Sequence, residues 1–151
     1  MRIAFSSNAF RKYSLLETID ILADAGYKGI EIMCDVPHAY PPDLNKESIS
    51  GILQHLKERD MKISNLNAFM LTAIGDFHHP SWIEKDKTQR ELRINHTIGC
   101  VRLAAELGVA TISTEPGGPV DDMGMNRTEA IKLFIDGLNR VVEVANPLGI
   151  K

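Results

Sequence analysis

Side chains able to do acid–base chemistry or bind hydroxyl groups follow the strand-like segments of this 151-residue chain. Asn8 follows the first segment, His38 the second and Glu115 the fourth. A carboxylate in such a place can bind a metal or move a proton between adjacent carbons, if burial brings its pKa toward the working pH. We therefore predict Glu115 as the catalytic residue, with the alternative that it only anchors the turn at 116–119.

Amide and aromatic side chains supply the predicted binding surface. Asn65 and Asn67 are separated by one residue on a predicted strand, so they share a face and suit hydroxyl recognition, or they bond neighbouring strands. His38 either contacts substrate or is a solvated loop residue. The predicted substrate-binding residues are Asn8, His38, Asn65, Asn67, His78 and Trp82.

The long connection over 70–85 is a candidate functional loop, because unstructured loops of this length are uncommon in compact domains. It carries the adjacent histidines His78 and His79, which are unsuited to share one metal, although one of them can reach a pocket. Phe77 and Trp82 either form an apolar wall beside the substrate or pack the loop down. The metal ligands stay unidentified.

Apolar spacing predicts four strand–helix units. Ser14 with Glu17, and Asn126 with Glu129, are typical of helix-capping boxes, and Gly108 marks the end of a helix. The predicted strands cover 3–6, 29–34, 62–69 and 110–114, and the predicted second and third helices cover 46–59 and 88–107.

The final residues, 148–151, resemble the segments that lead from earlier helices into strands, so we expect the entrance to a fifth strand there. Four such units form either a complete doubly wound sheet or half of an eight-unit barrel. The first turn has no glycine, and polar residues follow every strand, which favours the barrel. The predicted fold is α/β, with four parallel βα units forming half of a (β/α)8 TIM barrel, and residues 1–151 as a single incomplete domain.

Charge and cysteine content exclude several classes of protein. Seventeen Lys and Arg residues against twenty Asp and Glu residues give a net charge of −3, which argues against a nucleic-acid binder. No apolar run has the length of a membrane span. Cys34 and Cys100 lie far apart in sequence, and we interpret them as small buried apolar residues, reduced in a cytoplasmic protein.

Three segments carry a family resemblance: 2–10 (RIAFSSNAF), 25–32 (AGYKGIEI) and the ELG at 106–108 before a Thr-rich strand. They resemble the N-terminal half of the xylose isomerase-like barrel superfamily, which includes sugar (phosphate) isomerases, epimerases and endonuclease IV enzymes. The resemblance implies metal-assisted isomerisation or epimerisation, with a divalent metal (Mn, Mg, Co or Zn) in the complete barrel. In the isomerase branch, the metal ligands come mainly from strands five to eight, so no ligand is carried over to this chain. The chain alone is therefore expected to be inactive, and it need not hold a metal.

Two alternatives stay open. In endonuclease IV enzymes, strands three and four end in metal-binding histidines; Asn65 and Glu115 stand in those places here, and an amide is a weak ligand for transition metals. The other alternative is a non-catalytic truncated half-barrel. The expected partners are a sugar or sugar phosphate and, because open sheet edges invite pairing, a second copy of the chain or a C-terminal half. Nucleic-acid and membrane partners are not expected.

Overall fold

The structure is a computed structural model that describes residues 3–69, 72–73, 75, 78–121 and 124–151. Phe77, predicted as part of an apolar wall, lies outside the described residues. Within them, no helix is both long and apolar enough to cross a membrane.

Strands and helices alternate along the whole chain. The strands are β1 (Ala4–Ser6), β2 (Gly29–Met33), β3 (Lys62–Asn67) and β4 (Ile112–Ser113). The helices are α1 (Leu15–Asp24), α2 (Lys46–Glu58), α3 (Lys87–Leu107) and α4 (Arg127–Ala145). The strands pair in parallel in the order β1-β2-β3-β4, with no switch point. The prediction of half a TIM barrel is confirmed, and the doubly wound sheet is excluded.

Local signals place the helix ends. Ser14 and Glu17 form the predicted capping box before α1, and Asn126 and Glu129 form a second one before α4. Each box satisfies backbone N–H groups that have no partner inside the helix. Gly108 ends α3 at φ 69°, a left-handed conformation that glycine adopts without steric cost.

The two faces of the sheet differ in character. Ile30, Ile32 and Leu66 are fully buried and belong to the apolar core under the helices. Side chains alternate along a strand, so Glu31 and Asn65 lie on the opposite, inner face. They are register partners, next to an irregularity in the pairing of β2 with β3. The inner face therefore carries polar groups while the outer face supports packing.

All four strands are shorter than predicted, and the difference is largest for β3 and β4. β3 ends at Asn67 because its side-chain Oδ1 accepts a hydrogen bond from the Phe69 N–H at 3.0 Å, which turns the backbone. β4 has only two residues. Beside it, the Lys151 N–H donates to the Ala110 carbonyl and the Ile112 N–H donates to the Lys151 carbonyl. Lys151 thus lies in parallel register next to β4, where we expected a fifth strand to enter.

Trp82 packs the loop before α3 against α4. Its side chain is fully buried and meets Phe134 edge-on, with ring centroids 5.4 Å apart. Gly137 leaves room for the ring, because a Cβ there would lie 2.9 Å from Trp82 Cε3 and 3.2 Å from Ile94 Cδ1. The observed contacts of Trp82 are those of packing.

His96 of α3 is buried as well, with 6% of its surface exposed. Its ring stacks on Tyr40 at a centroid distance of 6.0 Å. Burial, reinforced by the charge of Arg93, lowers the pKa of His96 to about 4. The imidazole is therefore neutral in the folded protein at neutral pH.

Gly137→Ala should lower the free energy of unfolding by about 1 kcal/mol, because overpacking against Trp82 costs roughly 1–3 kcal/mol and outweighs about 1 kcal/mol of helix propensity. Gly51→Ala is the matched control in α2, where a Cβ meets nothing within 4 Å. It should stabilise by about 0.5–1 kcal/mol. Urea unfolding measures both variants, and a stabilising Gly137→Ala contradicts the packing described.

Stability should fall as the pH drops from 6.5, the usual pKa of histidine, toward 4. In that pH range His96 is protonated in the unfolded chain and neutral in the folded chain. This difference should lower the free energy of unfolding by roughly 2–3 kcal/mol at the acidic end of the range. Urea unfolding at pH 7 and about pH 4.5 measures the fall. His96→Gln should show a smaller fall, and an equal fall in both proteins contradicts this account.

Candidate functional site

The predicted site residues follow the carboxyl ends of the strands. Asn8 lies in a short 3-10 turn after β1, His38 in the turn after β2, Asn67 at the end of β3 and Glu115 shortly after β4. Since all four strands are parallel and in order, these ends form one edge of the sheet. In TIM barrels this edge carries the active site.

A hydrogen-bonded polar row crosses the inner face of the sheet. Asn65 Nδ2 donates to Glu31 Oε2 at 2.8 Å and to Ser113 Oγ at 2.9 Å. One amide thus joins β2, β3 and β4. Both residues that Asn65 bonds are absent from the predicted site.

Glu31 had a visible sequence signal, because it is a carboxylate inside the otherwise apolar segment GIEIM. A charged group in a short central strand is costly to bury unless it is paired or faces a polar space. Its half-buried position on the inner face meets that requirement, with Asn65 as donor to one oxygen. Ser113 gave no such signal, because serine is common at strand ends.

The side-chain amides of the two other predicted residues differ, because that of Asn67 binds local backbone while the oxygen of that of Asn8 has no partner among the described residues. Asn67, 7% exposed, accepts the Phe69 N–H through Oδ1. The Asn8 N–H donates to Ser6 Oγ at 3.4 Å, while Asn8 Oδ1 is buried with no hydrogen-bond partner among the described residues. An acceptor buried in this way suits a hydroxyl or N–H donor from a bound molecule.

His38 is buried rather than solvated, with 7% of its surface exposed, so the alternative of a solvated loop residue is excluded. The backbone N–H of His38 donates to the Asp35 carbonyl at 2.8 Å, and both nitrogens of its ring are buried with no hydrogen-bond partner among the described residues. Burial lowers the pKa of His38, which favours a neutral imidazole. His38 is therefore a neutral ring buried at the turn after β2.

Glu115 is exposed, and a buried cation supports its backbone. Arg93 of α3, 1% exposed, donates from Nη2 to the Glu115 carbonyl at 3.1 Å and lies over the Phe69 ring at 5.9 Å. The segment that carries the predicted catalytic carboxylate is thus fixed to α3. Arg93 was missed because the sequence places it in the middle of a helix.

Asp35 organises the loop beyond β3. Its carboxylate is fully buried and accepts the backbone N–H groups of Val36 at 2.8 Å, Thr72 at 2.8 Å and Ala73 at 2.9 Å. A buried carboxylate is stable when it receives several such bonds. Asp35 therefore connects the turn after β2 with the long loop.

His78 and Trp82 are tied to the turn after β4. The His78 carbonyl accepts the Gly118 N–H at 2.9 Å, and the Trp82 N–H donates to the Pro116 carbonyl at 3.0 Å. His78 is exposed, whereas Trp82 is buried. Gly117 adopts φ 76°, and a Cβ there would lie 2.7 Å from Ser81 Cβ, so the turn needs glycine.

The residues that the structure describes do not fit a metal centre. Across the described ranges, no group of three or more His, Cys, Asp or Glu side chains is arranged to hold a metal ion. On the inner face, the polar row offers a single carboxylate, Glu31, beside the Asn65 amide and the Ser113 hydroxyl. What the arrangement can do is bind hydroxyl groups, through carboxylate and amide oxygens and a serine hydroxyl.

Comparison with known proteins agrees with this geometry. A family model described as xylose isomerase-like TIM barrel matches residues 19–151. No protein of curated function matches the sequence significantly.

Three solved structures have similar folds. A D-tagatose 3-epimerase-like protein matches with a TM-score of 0.78 at 18% identity, over 100% of this chain and 51% of its own. The IolI protein, solved with a bound zinc atom, matches with a TM-score of 0.74 at 20% identity, over 100% and 50%. A family 2 AP endonuclease from Brucella melitensis matches with a TM-score of 0.68 at 20% identity, over 100% and 54%.

The chain spans about half the length of these structures. At these identities the likeness concerns the fold. Together with the family model, which covers most of the sequence, it establishes that this chain belongs to the xylose isomerase-like TIM barrel family.

Proposed function

We propose that this chain provides one wall of a sugar isomerase- or epimerase-like site, in which a sugar or sugar phosphate binds at the inner face and strand-end edge of the sheet. The observation that supports this most is the row formed by Glu31, Asn65 and Ser113. Oxygen-rich rows of this kind pair with vicinal hydroxyl groups, which donate and accept in turn. An epimerase-like protein among the similar folds is consistent with such a substrate.

Each side chain has a role in this proposal. Glu115 is exposed at the edge in this half of the barrel, so its role as the carboxylate that moves a proton between adjacent carbons requires burial by the half that completes the site. Asn8 and Asn67 bind hydroxyl groups, and His38 does so as a neutral imidazole. Further contacts come from His78, on a loop that Trp82 fixes against α4.

No step of this function runs through a metal held by the described residues, because they present no set of ligands for one. The divalent metal that the resemblance implies would need ligands from outside these residues. The endonuclease IV-like alternative needs metal-binding side chains at the ends of β3 and β4. It is weaker because Asn65 stands at the β3 position, and an amide is a weak ligand for transition metals compared with imidazole. A cytoplasmic location is part of the proposal, supported by free thiols at Cys34 and Cys100.

We also propose that another half barrel covers the open sides of this one. At one side α4 exposes Ile131 (47%), Ile135 (49%) and Val142 (46%); at the other, β1 and its approach expose Ile3 (55%) and Phe5 (40%). Apolar faces beside an unpaired strand edge favour association. A second copy or a C-terminal half would bury both sides.

Asn65→Ala should weaken binding of D-tagatose or D-fructose, because it releases Glu31 and Ser113 from their positions. A hydrogen bond to a charged group contributes about 1.5–3 kcal/mol, so affinity should fall roughly tenfold or more. Calorimetric titration of the whole chain measures this, with unfolding curves confirming that the variant is folded.

Asn139→Ala is the matched control, because Asn139 is exposed on α4 and far along the chain from the polar row. Its affinity should equal that of the wild type. Equal losses in both variants, or no ketose binding by the folded chain, contradict the proposed site. Tighter binding of a duplex with an abasic site than of either ketose would support the endonuclease-like alternative instead.

The chain should sediment as a dimer or larger species at micromolar concentration. Ile135→Lys should shift it toward the monomer, because a charge at the proposed contact is costly to bury. Leu53→Lys is the control, at a 39% exposed position on α2 away from the open edges. A stable wild-type monomer in sedimentation equilibrium would rule out self-association.

A further inference from the structure

Two histidine–carboxylate pairs occur among the described residues. His55 Nε2 lies 3.0 Å from Asp20 Oδ1, between α2 and α1, and Arg59 Nε lies 3.2 Å from the same oxygen. His79 Nδ1 lies 2.7 Å from Glu84 Oε1, in the loop before α3. The first pair joins two helices of the outer layer, whereas the second belongs to a loop and has no role in the site proposed above.

The Glu84 carboxylate fixes which nitrogen of His79 carries the hydrogen. Its Oε1 accepts the backbone N–H of Ser81 at 2.9 Å in addition to its bond with His79 Nδ1. An ionised carboxylate can only accept, so Nδ1 is the donor and the neutral ring has its basic lone pair on Nε2. A carboxylate that orients an imidazole in this way is the arrangement that general bases use.

Hydrogen bonds on both sides of His79 hold this pair at the strand-end edge of the sheet. The His78 carbonyl accepts an N–H of the turn at 116–118 at 2.9 Å, and the Trp82 N–H donates to a carbonyl of the same turn at 3.0 Å. This turn begins directly after Glu115, the carboxylate proposed for proton transfer. His79 therefore belongs to the edge that carries the proposed site.

The two side chains of the pair differ in exposure. The His79 side chain is 44% exposed, whereas that of Glu84 is 13% exposed. The backbone on each side of the pair is held as well, because Arg90 Nη1 donates to the Glu84 carbonyl and the His79 carbonyl leaves no room for a Cβ at Gly75. A molecule bound at the edge can thus reach the imidazole, while its carboxylate partner is shielded and fixed.

We propose that His79, oriented by Glu84, is an acid–base residue that acts on the oxygen atoms of the sugar. This inference rests on the proposed function and adds a group that it lacks. Interconversion of a ketose and an aldose moves one proton from C1 to C2 and another from the O1 hydroxyl to O2. Glu115 serves the carbon atoms, and His79 Nε2 accepts the O1 proton and donates it to O2.

The atoms of this reaction balance without a further reactant. The C1–H and O1–H bonds break, a C2–H and an O2–H bond form, and the carbonyl moves from C2 to C1. Glu115 and His79 both return to their starting protonation states. Glu84 is a positioning residue, because it acts on the sugar only through the imidazole that it holds.

Carbethoxylation by diethylpyrocarbonate tests whether a ketose covers His79, because this reagent attacks the basic nitrogen of a neutral imidazole. The whole folded chain is treated with and without D-fructose, and tandem mass spectrometry of its peptides locates each modified histidine. At a fructose concentration about ten times the calorimetric Kd, modification of His79 should slow roughly tenfold. His55 also has a carboxylate partner but lies outside the site, so its rate should not change.

Glu84→Gln tests the orientation of the ring, because an amide can donate as well as accept and no longer fixes the tautomer. Nitrogen-15 NMR should show the Nδ1–H form of His79 in the wild type and a mixture of both tautomers in the variant, in which fructose should protect His79 less. Asp20→Asn is the matched control at the other pair, and it should leave the tautomer and the protection of His79 as in the wild type. If Glu84→Gln does not fold, protection in the wild type still decides the role of His79.

The outcomes separate this inference from the proposed function. Calorimetric binding of fructose without protection of His79, equal protection of His79 and His55, or protection confined to His78 would overturn the role of His79 and leave the sugar site in place. No binding of fructose by the folded chain would overturn both.

Discussion

The side-chain amide of Asn65 holds three strands of this sheet together on the face that the helices leave uncovered. It donates one hydrogen bond to Glu31 at 2.8 Å and one to Ser113 at 2.9 Å. The bond to Glu31 gives a half-buried carboxylate a donor, which lowers the cost of burying its charge. Polar groups at such a depth are tolerated when they are bonded, and the bonds then define register. The same row gives the inner face its hydroxyl-binding character, so fold and proposed function depend on one interaction.

Around this row, buried charges hold the strand-end loops in place. Asp35 gathers three backbone N–H groups from the turn after β2 and from the long loop. Arg93 reaches from α3 to the backbone beside Glu115. Asp35 and Arg93 thus each use one buried polar side chain to fix backbone at the strand ends, and this pre-organises the binding edge.

The sequence was sufficient for features that depend on local chemistry. Capping boxes at Ser14 and Asn126 and the left-handed Gly108 act within a few residues, so helix ends could be predicted closely. Parallel pairing followed from the alternation of short strands and helices, since parallel neighbours need such crossovers. The strand order followed from the polar residues after every strand and the first turn without glycine, which favoured the barrel. The lengths of β3 and β4 were overestimated, because Asn67 turns the backbone through its own side chain, which strand propensity does not register.

Contacts between distant segments explain what the sequence could not reveal. Glu31 stood out as a charge in an apolar strand, yet its partner Asn65 is known only once β2 and β3 are in register. The burial of His38 and Trp82 also depends on how helices and loops pack on the sheet. The family resemblance predicted the barrel fold but no set of metal ligands for this chain, and the described residues contain no such set.

The most direct test of the account is a crystal structure of the chain grown with a ketohexose at high concentration. The account predicts sugar density on the inner face, with hydroxyl groups in hydrogen-bond contact with Glu31 and with the amides at the ends of the strands. Density confined to the outer, helix-covered side of the sheet, or an inner face occupied by apolar side chains of another chain with no room for a sugar, would contradict it.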